Sequence, residues 1–203
     1  MRGPKTRICS SRPCVRVAFQ GIGDKPDPVL KLEDLRLPRR FFMSQYDVLC
    51  IGNAIVDIIA RCDEAFLSES EIIKGAMNLI DAERAELLYS RMGPAIEASG
   101  GSAGNTAAGI ASFGGRTAYF GKVANDHLGK IYTHDIRALG VAFDTKPLES
   151  QPPTARSMIF VTPDGERSMN TYLGACVELG PEDVEEDKAR GALVTYFEGY
   201  LWD

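Results

Sequence analysis

The stretch Gly100-Gly101-Ser102-Ala103-Gly104-Asn105-Thr106 has the residue types best suited to gripping a small polar ligand. Three glycines within five positions let the backbone turn sharply and approach another group closely. The small-residue run through Ser112-Phe113 suits a helix, which Gly114 or Gly115 can end. Ser102 or Asn105 can cap its first turn. A glycine loop opening a helix points unpaired N–H groups at its occupant, which favours an oxygen-rich ligand. A plain tight junction between loop and helix is the competing reading. Asp57, in Gly52-Asn53-Ala54-Ile55-Val56-Asp57, is expected just past the carboxyl end of a strand, where open α/β sheets bind ligands. Its competing role is a turn-forming Asp. Arg167 and Asn170 lie on an expected hairpin strand, where Arg167 can equally be a solvated charge. Two phosphate loops are excluded. Gly100 to Gly104 lacks the G-x-G-x-x-G spacing, and Gly121-Lys122 continues with Val123, so there is no P-loop.

The elements that must hold these residues alternate. Residues 46–52 form a short apolar run ending in Gly, as buried parallel strands do. Residues 58–61 predict a second strand, and 72–79 a further lid strand. Asp81 predicts the N-cap of a helix over 82–91 with Ala85, Leu87, Leu88 and Met92 toward one side, ended by Gly93-Pro94. A short segment, 95–99, leads to the glycine stretch. Then follow a strand at 117–121, a helix from Asp126 closed by Gly140, and a short strand at 141–144. Residues 154–162 and 166–173 predict two strands joined by the turn Pro163-Asp164-Gly165. Pro181 and the acids after it predict a helix start over 181–188, and 193–201 a further buried strand. Strand-helix alternation implies a parallel sheet with helices on its faces.

Composition narrows the function. The 203 residues are 44% hydrophobic and 25% charged, ordinary for a globular chain. Net charge is −5 but uneven: residues 1–42 carry ten Lys and Arg against four Asp and Glu, the remainder 13 against 24. An acidic body argues against nucleic acid as main partner. No apolar run reaches the roughly 18 residues a membrane span needs. Five cysteines without a C-x-x-C pair, and two histidines, argue against structural zinc and read as reduced cytosolic thiols. Residues 1–42, rich in Arg and Pro and without clear period, are expected to be an upstream extension, mostly disordered, with Met43 the natural start.

Gly100-Gly101 with Asn105, then Gly114-Gly115, then Gly121-Lys122-Val123-Ala124-Asn125-Asp126, together resemble the first signature of the PfkB carbohydrate kinases. Gly52, Asn53 and Asp57 match that family's Gly-Asn-x-x-x-Asp strand. Gly165-Glu166-Arg167-Ser168 and Glu198-Gly199-Tyr200-Leu201-Trp202-Asp203 resemble its bacterial adenosine kinase and sugar kinase members. The resemblance runs from Tyr46 to Asp203. It implies a ribokinase-like, doubly wound αβα sandwich with a small β lid. It also implies ATP- and Mg²⁺-dependent phosphorylation of a sugar or nucleoside hydroxyl in the cytoplasm, with acceptor contacts at Asn53, Asp57, Gly100, Gly101, Asn105, Arg167 and Asn170. The family's Asp-Thr-x-Gly-x-Gly-Asp motif, which supplies the catalytic base, does not occur: Asp144-Thr145 continues with Lys146-Pro147. By this resemblance the chain matches about the first half of such an enzyme, and holds the acceptor site without the base, the ATP pocket or the metal element. It is expected to lack kinase activity alone. The alternative is a non-catalytic sugar- or nucleoside-binding or interaction module. Hexose versus nucleoside, and oligomeric state, are left open.

Overall fold

The computed structural model describes residues 44–200. The extension assigned to residues 1–42 lies outside the described residues.

Two sheets share the chain. The first, in the order β6-β5-β1-β9, is parallel throughout: β1 (Tyr46–Ile51) is central, flanked by β5 (Thr117–Phe120) and β9 (Ala192–Phe197), with β6 (Val141–Ala142) beyond β5. Alternation along β1 and β5 sends Cys50 and Tyr119 to one face and Leu49, Ala118 and Phe120 to the other. α3 (Ser102–Ser112) and α4 (His127–Ala138) cover the first face, and α5 (Glu186–Arg190) the second. Burial on both faces explains why these strands read as continuous apolar runs.

The second sheet, in the order β3-β8-β7-β2-β4, is mixed. It joins β3 (Met77–Leu79), β8 (Arg167–Tyr172), β7 (Ala155–Val161), β2 (Ile55–Arg61) and β4 (Ala95–Gly100). The β7–β8 hairpin turns at Pro163-Asp164-Gly165, where Gly165 takes φ +86° and Thr162 Oγ1 donates to Asp164 Oδ1 at 2.6 Å. α2 (Ala82–Arg91) and α4 cover one face of this sheet, over Val56, Ile58, Met158 and Phe160. α1 (Glu64–Glu69) contributes Phe66 and Leu67 to the α2 cluster. On the other face Met77, Leu79 and Ile96 are exposed.

Helix boundaries follow their capping residues. The Asp81 and Asp126 side chains accept from Arg84 N and Gly129 N, each satisfying an otherwise orphaned donor of a first turn. Tyr119, Tyr132 and Phe143 pack together between α4 and the parallel sheet, with ring centroids 5.5–6.3 Å apart, Tyr119 stacked on Phe143 and Tyr132 edge-on to it. Such pairs contribute about 0.5–1.5 kcal/mol each beyond their buried area.

Several expectations need correction. The segment 95–99, to which the sequence assigns no element, is most of strand β4, because pairing with β2 supplies backbone partners that local pattern does not show. The helix expected over 181–188 splits into a 3-10 turn, Pro181–Asp183, and α5, since Val184 and Glu185 are extended. Leu87 is partly exposed, while Ala85 and Leu88 are buried. β9 is not a buried strand: it occupies a sheet edge among the described residues, with Val194, Tyr196 and Phe197 exposed. No helix among the described residues is long and apolar enough to cross a membrane.

Candidate functional site

Five of the predicted residues, Asn53, Asp57, Gly100, Gly101 and Asn105, lie where β1 gives way to β2 and β4 gives way to α3. Asp57 is the third residue of β2, not a residue past a strand end. β1 stops at Ile51, and the chain re-enters the second sheet at Ile55, which places Asp57 inside a strand. Its register partner on β4 is Ala98, so Gly100 sits diagonally beside it. A Cβ on Gly100 would overlap the Asp57 carboxyl. Glycine at 100 is therefore what leaves room for the carboxylate. Gly101 takes φ +82°, and a Cβ there would overlap the backbone oxygen of Asn53. The glycine pair lets two segments meet that any side chain would hold apart.

The Asp57 carboxyl is half-buried, and among the described residues no hydrogen bond or ion pair reaches it. Burial pushes its pKa up to about 6, while the positive charge of Arg167 works in the opposite direction. Arg167 opens β8 on the same sheet face as Asp57, since Asp57 pairs with Ser157, Ser157 with Thr171, and Val161 with Arg167. Ser157 Oγ and Thr171 Oγ1 lie 2.8 Å apart on that face. Asn170 is not brought to this site. Its register partners are Met158 and Asn78, which places it on the opposite face, the α2 side. There its Nδ2 is buried and, among the described residues, without a hydrogen-bond partner.

Neither Ser102 nor Asn105 caps α3. Gly101 is the N-cap residue and offers no side chain. Asn105 is exposed in the first turn, its N–H donating to Gly101 O at 2.9 Å. One helix donor, Ala103 N, is met instead by Glu198, just past β9. Its Oε2 accepts from Ala103 N at 2.9 Å and Ser102 Oγ at 3.1 Å, and its Oε1 from Asn53 N at 2.6 Å. A carboxylate at a helix N-terminus also gains from the helix dipole. Glu198 was missed as a functional residue. The available signal was its place after the apolar run 193–197, at the carboxyl end of a parallel strand beside β1.

Four further bonds hold the backbone around the glycine pair. Tyr119 OH donates to Gly52 O at 2.9 Å and Tyr132 OH to Gly100 O at 3.3 Å. Asp135 Oδ2 accepts from both Ser99 N and Ser99 Oγ at 2.7 Å. Burial holds both tyrosines well above the usual phenol range, so they stay neutral donors. Substituting Glu198 by Ala strips three donors of their shared acceptor and is expected to cost about 2 kcal/mol. Urea unfolding checks this; an unchanged midpoint would show that the clip contributes nothing.

A parallel sheet with helices on both faces, a second, mixed sheet and a carboxylate beside a glycine pair define an α/β protein whose candidate site lies where the chain leaves a parallel strand. The PfkB family carbohydrate kinase model matches residues 46–201, and the chain belongs to that family. A solved adenosine kinase from Sinorhizobium meliloti is 80% identical, with TM-score 0.74, over 79% of this chain and 49% of that one. A probable sugar kinase protein from Rhizobium etli CFN 42 is 74% identical, with TM-score 0.75 and the same coverage. A probable fructokinase-4 of Arabidopsis thaliana is 29% identical over 104 residues, 50% of this chain and 32% of that protein. The chain thus spans about half the length of these solved relatives and a third of that plant protein.

Proposed function

We propose that this chain forms the acceptor side of a kinase that moves the γ-phosphoryl group of ATP to a primary hydroxyl of a ribonucleoside. One observation carries the reading: a half-buried carboxylate, Asp57, with neither oxygen hydrogen-bonded among the described residues, beside a glycine that leaves room for it. Two unspent oxygens suit the vicinal diol of a ribofuranosyl ring, and a charged acceptor makes the stronger bonds. The 80% identity to an adenosine kinase favours a nucleoside over a hexose.

In this reading Asp57 binds and orients rather than catalyses. Gly100 and Gly101 admit the ring, and Asn53 and Asn105 approach it from the two segments that the glycine pair joins. Arg167, on the same sheet face, offsets phosphate charge as it builds. The acceptor oxygen forms a bond to the γ-phosphorus, the bridging bond to the β-phosphate breaks, and the acceptor proton leaves to a base. No Asp-Thr-x-Gly-x-Gly-Asp base motif occurs in these 203 residues. In this reading the base is supplied by residues other than these, and the chain by itself binds acceptor without turning over ATP. Mg²⁺, when bound, neutralises charge on the triphosphate. Among the described residues no three His, Cys, Asp or Glu side chains cluster as a metal site, and no step is assigned to the metal here.

Thermal denaturation with adenosine, 2′,3′-dideoxyadenosine and fructose tests the proposal. Adenosine at ten times its Kd should stabilise by about 1.4 kcal/mol, a shift of a few degrees, while the dideoxy compound gives none. Equal shifts from adenosine and its dideoxy analogue would defeat the diol assignment.

A further inference from the structure

Away from the acceptor cradle, a cavity of about 790 Å³ opens between α4 and the segment 144–147. Lys130, His134 and Arg137 line one side at helical spacings of four and three, so they share a single stripe of α4. Lys146 faces them from the 144–147 segment. Lys130 and Arg137 carry like charges two turns apart on this stripe and Lys146 adds a third on the opposing segment, a local field that attracts an anion. The one acid lining the cavity, Asp144, is already matched by two cations, Arg137 at 3.2 Å and Lys188 at 2.9 Å. Among the described residues Lys130 and Lys146 have no ion-pair partner. At the same wall Thr145 is buried, and among the described residues its hydroxyl has no hydrogen-bond partner. Val123, Ala124, Ala138 and Pro147 supply apolar surface beside the charges. Residues from 43 onward are acidic on balance, so a cavity with this sign is not a by-product of composition.

We infer that this cavity is a second ligand site, for a small organic phosphate: the anionic group between Lys130 and Lys146, its carbon body against Val123, Ala124 and Pro147. A site of this size admits a molecule up to nucleotide dimensions. The inference does not rest on the acceptor reading, since Asp135 and Tyr132, which brace Ser99 and Gly100, are not among the residues lining the cavity.

NMR titration of the full chain with phenyl phosphate, inorganic phosphate and phenol decides it. Phenyl phosphate should bind saturably with a Kd below about 1 mM, shifting the amides of Lys130, Thr133, Thr145 and Lys146. Inorganic phosphate should bind the same residues more weakly, and phenol not at all. The double variant Lys130→Gln, Lys146→Gln removes exposed charges, so its melting temperature should not change. It should weaken phenyl phosphate binding at least tenfold while leaving any adenosine response unchanged. Shifts that never saturate, that phenol reproduces, or that survive in the double variant would overturn the site.

Discussion

Asp57→Asn should abolish acceptor binding and yet make the ligand-free protein more stable at neutral pH. Loss of two hydrogen bonds to a charged acceptor is expected to weaken adenosine binding by at least about 100-fold. The gain in stability follows from the raised pKa. Its folded value is about 6, against an unfolded value near 3.8. Between those values the folded chain holds a proton that the unfolded chain has released, so stability falls as pH rises from about 4 to about 6. Above pH 6 the full cost of a desolvated charge remains. Asn carries no charge to desolvate, so the variant should be more stable than the parent by about 3 kcal/mol at pH 7.5, and nearly equal to it near pH 4. Comparing the two by urea unfolding cancels all other titrating groups. A variant less stable than the parent at pH 7.5 would mean that Asp57 is a structural residue.

Gly101→Ala should be the most damaging single change to the fold around the site. A left-handed φ of +82° is strained for any residue with a Cβ, at about 1–3 kcal/mol. The added methyl must also displace the backbone oxygen of Asn53, which cannot swing aside as a side-chain tip does. Asn53 N is held by Glu198, so movement there pulls on the start of α3. The combined loss is expected to be about 3–5 kcal/mol, read as a lowered urea midpoint with adenosine binding lost as well. Gly114→Ala is the control: φ there is +84°, but nothing lies within reach of its Cβ, so only the strain should appear. Equal losses at the two positions would show that close approach at Gly101 is not required.

Much of this was legible locally. The glycine pair, the Asp81 cap, the helix start at Asp126, Gly140 closing α4 and the Pro163-Asp164-Gly165 hairpin all act within a few residues, and the structure agrees at each. What escaped depends on pairing between distant segments. Asp57 read as a residue beyond a strand because the break at Gly52-Asn53-Ala54 transfers the chain to another sheet, which no local pattern states. Asn170 was placed at the acceptor site, yet strand side chains alternate, and its neighbour Thr171 occupies the Asp57 face instead. Glu198 lies 145 residues from Asn53, so neither sequence spacing nor helix periodicity could link them. Ser102 and Asn105 were reasonable caps by residue type, but a carboxylate from another strand had already taken the donors.

The most direct test is a crystal structure of the chain with adenosine bound. The account requires both ribose hydroxyls within about 2.5–3.0 Å of the Asp57 carboxylate oxygens, with the ring against Gly100 and Gly101. Adenosine seated elsewhere, with the Asp57 oxygens touching only solvent or protein, would contradict it.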